Sequence, residues 1–122
     1  MKVENMKSAK TGKAVANQFL IRDRGCIWFQ SYKSIIGVIT PDNILLLDKD
    51  KWDYSVTTAK YRNAFVATYF NSRYASRDGI KKGVADGKII MTARMTTSKL
   101  QRTSHIQTET LQRLRLKTEG MA

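Results

Sequence analysis

Between residues 17 and 48 the apolar positions keep a period close to two, and turn-forming residues break it at short intervals. Phe19 and Ile21 alternate with Gln18, Leu20 and Arg22, which predicts a half-buried strand. Asp23, Arg24 and Gly25 follow as a hairpin turn, with the glycine free to take a positive φ. Residues 26–32 read as a second strand, with Ile27, Phe29 and Ser31 on one face and Trp28, Gln30 and Tyr32 on the other. Residues 34–40 are a third β-rich run. Pro41, Asp42 and Asn43 turn the chain, and residues 44–48 are a short apolar strand. Short turns between consecutive strands favour an antiparallel meander.

The period then lengthens. Residues 48–51 are charged and expected on the surface. Ser55, Thr57 or Thr58 can cap a helix, and Asp53 adds negative charge near its positive end. Tyr61, Phe65 and Tyr69 recur every fourth residue with Val66 and Phe70 beside them, a stripe suited to packing on a sheet; Lys60, Arg62 and Arg73 fall mostly off it. Ser76 and Asp78 open a second helix carrying Ile80 and Val84. Gly79 and Gly83 weaken it by about 1 kcal/mol each relative to alanine. Asp86 and Gly87 make a turn, residues 88–96 alternate as a returning strand, and residues 97–117 carry a thin stripe of Leu100, Leu111 and Leu114 behind a Ser98 cap.

These elements predict an α+β fold. An antiparallel β-meander of three to four strands is followed by an amphipathic helix, a second short helix, a returning strand and a C-terminal helix. The expected organisation is a basic flexible arm over residues 1–13, a single α+β domain over 14–96 and a basic C-terminal helical extension over 97–122.

Charge changes the picture more than length does. Lys and Arg number 22 against 10 Asp and Glu, giving a net charge of +12 and an isoelectric point near 10.1. With 42% hydrophobic residues the composition is that of a globular chain, so the excess charge bears on partners and not on the fold. Positive charge draws phosphate polyanions. Residues 73–122 hold 11 basic and 4 acidic side chains. The candidate nucleic-acid-binding residues are Arg73, Arg77, Lys81, Lys82, Lys88, Lys99 and Arg102, with Tyr69, Phe70 and Tyr74 interleaved in a pattern that suits base stacking or a buried aromatic face.

Other chemistry is sparse. One cysteine, Cys26, excludes an intramolecular disulfide and a cysteine-based zinc site. His105 is the only histidine and reads as a surface residue in the polar C-terminal segment. Asp48, Asp50 and Asp53 lack the spacing and closing glutamate of a calcium loop. Gly79 to Gly83, GIKKG, lacks the strand-before, helix-after setting of a nucleotide loop. Neither an enzyme, a cofactor nor a metal is expected. No apolar run approaches the roughly 18 residues that span a bilayer, and no signal-peptide core opens the chain, so no membrane role is expected.

Three segments, GKAVANQF (12–19), FQSYKSII (29–36) and WDYSVTTAKYRNAF (52–65), resemble a family of small uncharacterised phage and plasmid domains. The resemblance spans roughly residues 12–95. The Asp-Tyr-Ser-x-Thr-Thr string alone is also similar to part of some type II-A anti-CRISPR proteins. The first resemblance implies a mobile-element origin, a bacterial cytoplasmic setting and a β-meander followed by helices; it implies no reaction. The expected function is that of a non-enzymatic phage or plasmid accessory protein. It would bind nucleic acid or a nucleoprotein, and counter host defence or modulate DNA transactions. The alternative is a protein-interaction module or virion component that docks through residues 97–117.

Overall fold

Tight turns set the register of the sheet. Arg24 and Gly25 both have positive φ, +53° and +82°, as a two-residue hairpin turn matched to strand twist requires. They join β2 (Ala14–Asp23) to β3 (Cys26–Ser31), and Asp23 faces Cys26 across the closing pair. Tyr32, at φ +56°, opens the next turn into β4 (Ser34–Ile39). Around Pro41 to Asn43, the Thr40 hydroxyl accepts from the Ile44 backbone N–H and the chain enters β5 (Leu45–Asp48). The computed structural model describes residues 1–93; the expected extension over 97–122, including Lys99, Arg102 and His105, lies outside the described residues.

Among the described residues the sheet has six strands in chain order. Five are antiparallel neighbours, so the meander is longer than the three to four strands expected. The additional strand is β1 (Lys2–Lys7), drawn from the stretch read as a flexible arm. It pairs with β2 from Lys2↔Arg22 to Asn5↔Phe19, and Met6 reaches the core. Its charged residues hid it: an edge strand needs only one buried side chain here, and charge on an edge discourages pairing with other chains. The returning strand β6 (Ile89–Thr92) lies beside β5 and runs parallel to it, Leu45↔Ile89 through Asp48↔Thr92. A parallel neighbour needs a long crossover, and residues 49–88 provide it as α1 (Val56–Phe65), a wider π-helical segment (Val66–Asn71), a 3₁₀ turn (Ser72–Tyr74) and α2 (Arg77–Ala85).

Alternation along the strands divides the apolar residues between two faces. Leu20, Phe29, Ile39, Leu45, Leu47 and Ile89 form the face that receives Phe65, Val66, Tyr74 and Ile80. The Phe65 ring lies 5.6 Å from Phe29 and 5.9 Å from Tyr69, as the four-residue stripe predicts. On the opposite face, Ile21, Trp28, Val38, Leu46 and Ile90 form one continuous row through successive cross-strand pairs. Opposite Phe29 and Gln30 the register of β4 shifts by one residue; Ile35 packs in the second face and Ile36 in the helix-side face, and both are fully buried. Cys26 packs in the second face, where burial, followed by the nearby Asp23 charge, pushes its thiol pKa up. Gln18 is 1% exposed, and neither polar atom of its amide has a partner among the described residues.

Asp48 departs from the exposed position expected for it. It is 3% exposed, and Oδ1 accepts from the backbone N–H groups of Asp50 and Lys51. The carboxylate thereby closes the turn that leaves the sheet.

The helix-weakening glycines of α2 have a packing role. A Cβ on Gly83 would overlap Ile89 Cδ1 and stand 2.8 Å from its Cγ1. The missing side chain lets α2 settle on β6 at van der Waals distance. Gly83→Ala is therefore expected to destabilise the fold by about 1–3 kcal/mol through overpacking, despite alanine's better helix propensity. Denaturant titration of the two proteins measures this, and a stabilised variant would contradict it.

Candidate nucleic-acid interface and the corner that supports it

The link between sheet and helices is built from residues 52–65. Ser55 is the N-cap of α1, with extended backbone (φ −149°, ψ 157°), and its Oγ accepts from the Thr58 N–H at 3.1 Å. The Thr58 hydroxyl in turn meets Ser31 Oγ at 2.9 Å, pinning the first helical turn to β3.

Arg62 is not on the polar side of α1, as its place off the aromatic stripe suggests. It is 1% exposed, on the buried face with Thr58 and Phe65. A buried guanidinium is tolerated when its donors are met. Nη1 donates to the Trp52 carbonyl and to Asp53 Oδ1, both at 2.8 Å; Nη2 and Nε donate to Asn63 Oδ1 at 2.8 and 3.2 Å. The cation also lies 5.1 Å from the centre of the Trp52 ring.

Asp53, expected to place negative charge near the start of α1, binds two arginine side chains. Its Oδ1 takes Arg62, and its Oδ2 takes Nε of Arg77 at 2.7 Å, 24 residues further on. The hydrogen bond from Arg62 is the largest cause of a carboxyl pKa held below its ordinary range, with Arg77 adding to it.

The basic candidates fall around α2. Arg73 sits in the 3₁₀ turn with its guanidinium 6.0 Å from the Tyr74 ring centre. Arg77 is the first residue of α2, capped by Ser76, whose Oγ accepts from Gly79 N–H at 2.9 Å. Lys81 and Lys82 follow on the side away from buried Ile80 and Gly83, and Lys88 stands just before β6. All five are exposed, with Asp78 and Asp86 among them. Lys99 and Arg102 lie outside the described residues. GIKKG is thus a stretch within a helix and not a phosphate-cradling loop.

The interleaved aromatics pack toward the helix-side core. Tyr74 is 7% exposed, and Tyr69 and Phe70 pack partly buried against the helix-side core. The exposed rings are Tyr32 and Tyr54 instead, the latter with Lys51 Nζ 5.1 Å from its centre. Periodicity did not mark the Arg22 site, where the cation bonds Glu4 at 3.2 Å and lies over Tyr69 at 5.3 Å. These contacts join residues far apart in sequence and leave no local signal. Among the described residues, no group of three or more His, Cys, Asp and Glu side chains is placed to hold a metal, and no helix is long and apolar enough to cross a membrane.

Fold and site together define a small α+β domain: a mixed six-stranded sheet, a helical crossover on one face, and a basic surface along the second helix. The chain belongs to a family of unknown function (DUF8033), whose model matches residues 1–82. That span holds the whole Trp52–Phe65 corner and Arg77. No curated protein and no solved structure matches the chain.

Two outcomes follow from the corner. Ser55→Ala is expected to lower stability by about 1 kcal/mol without altering the surface, measured by thermal and denaturant unfolding. Asp53→Asn is expected to cost stability at neutral pH, with the cost fading in acid. Because the folded-state pKa of Asp53 is depressed, its contribution is complete above the unfolded value of about 4 and disappears as pH falls through the folded value. Unfolding curves of both proteins from pH 7 to 2 check this; a gap that stays constant would contradict it.

Proposed function

We propose that the protein is a non-enzymatic accessory protein of a phage or plasmid that acts in the bacterial cytoplasm. It binds the phosphate backbone of a nucleic acid, free or within a nucleoprotein, through the basic side of α2. The observation that carries this reading is the exposure of Arg73, Arg77, Lys81, Lys82 and Lys88 along one helix and its flanks. A net charge of +12 adds long-range attraction for the same partner. The mobile-element origin rests on the FQSY and WDYSxTTxKYRNxF motifs, and an effect on host defence or on DNA transactions follows from that origin. The non-enzymatic part is supported by the two groups with shifted pKa values among the described residues: Asp53 is engaged by two arginines, and Cys26 is packed in a sheet face.

Electrophoretic shift of single- and double-stranded DNA and of RNA across a salt series tests the proposal. On duplex DNA, five phosphate contacts would give a slope of log affinity on log salt of about −4 to −5. Replacing Lys81 and Lys82 with Gln should flatten the slope by about two, with unfolding unchanged. Binding that survives molar salt, or no binding at all, would overturn the phosphate-backbone reading in favour of docking through residues 97–117.

A further inference from the structure

Among the five exposed cations on and beside α2, Arg77 is held differently. Its Nε is engaged at 2.7 Å by Asp53 Oδ2, while its side chain remains 62% exposed. Its two terminal nitrogens have no partner among the described residues. Asp53 is itself anchored from behind by Arg62, which is 1% exposed and bound to the Trp52 carbonyl and to Asn63. Lys81, Lys82 and Lys88 make no side-chain hydrogen bond among the described residues.

We infer that Arg77 is a pre-oriented phosphodiester clamp on the nucleic-acid-binding side of the protein, and that Asp53, fixed by buried Arg62, is its positioning residue. This rests on the nucleic-acid reading above and deepens it. A guanidinium presents its donors as a rigid planar fork. With Nε occupied, the remaining end of the fork is the pair of Nη groups, the geometry that grips two oxygens of one phosphate. Holding the side chain in advance removes part of the ordering entropy that a free arginine loses on binding. The relay also gives the family-matched corner a link to the surface. Trp52, Asp53 and Arg62 are sheet-to-helix structure, yet through one carboxylate they set where an exposed guanidinium points.

The sign of one substitution separates positioning from charge. Asp53 is an anion close to the proposed phosphate, so on charge alone Asp53→Asn should tighten binding. Positioning demands the reverse, a loss of about five-fold or more. Asp86→Asn, at an acid that does not touch Arg77, serves as the charge control and should tighten binding slightly. Arg77→Lys keeps the charge but loses the fork; it should weaken binding about as much as Arg77→Gln while keeping the wild-type salt slope. Because Arg77 is exposed, this variant carries the test even where Asp53→Asn fails to fold. In folded Asp53→Asn, the Arg77 Nε–H NMR signal should lose the hydrogen-bonded shift it has in the wild type. The clamp is overturned where wild-type protein binds nucleic acid and either Arg77→Lys keeps wild-type affinity or folded Asp53→Asn binds as well or better. Wild-type protein that binds no nucleic acid removes the functional reading and the clamp together, an outcome distinct from the other two.

Discussion

The buried Arg62 guanidinium is the interaction on which the rest of the structure depends. A charge at 1% exposure is costly unless its donors are met. Here the partners come from the strand-to-helix link, Trp52 and Asp53, and from the next residue of the same helix, Asn63. Arg62 therefore fixes the angle at which α1 leaves the sheet. That angle places Phe65 against Phe29 and carries the chain across to β6. Removing Asp53 would strand the buried charge, and removing the Asn63 amide would leave buried donors unmet, so the group works as a unit.

From the same arginine a path leads outward. Asp53 turns one oxygen inward to Arg62 and the other outward to Arg77. The carboxylate stays ionised because both neighbours are cations. Packing and surface chemistry thus share a side chain. In the motif Trp52-Asp53-Tyr54-Ser55, Ser55 is the cap and Trp52 the stacking partner of Arg62, while Tyr54 is exposed and Asp53 links the corner to Arg77.

Much of the meander was legible because strands β2 to β5 are local. Their apolar alternation and the turns at Gly25 and Pro41 are written in consecutive residues, and the observed strands match the expected ones within a few positions at their ends. The Ser76 cap was legible for the same reason, and Ser55 was one of three candidates for the first cap. β1 was not, because only Met6 of its six residues is buried and its lysines read as a solvated arm. Asp48 and Arg62 were misplaced by the rule that charge lies outside. The rule fails where backbone or side-chain partners meet every charge, and such partners are invisible until the chain is folded. The candidate interface divides similarly. Exposed lysines on α2 follow from the helical period, and of the aromatics beside them Tyr74 is buried while Tyr69 and Phe70 pack partly buried against the core, the buried face that the sequence also offered.

By itself the sequence determined the α+β class, the order of the central strands, both helix starts and the strongly basic balance, since each depends on residues within a few positions of one another or on composition. The tertiary structure alone decided that β6 runs parallel to β5, that the glycines of α2 are contact points with β6 and Tyr74, and that Asp53 joins Arg62 to Arg77. Those features depend on how whole elements pack, where groups meet because the backbone brings them together and not because any local pattern specifies the pairing.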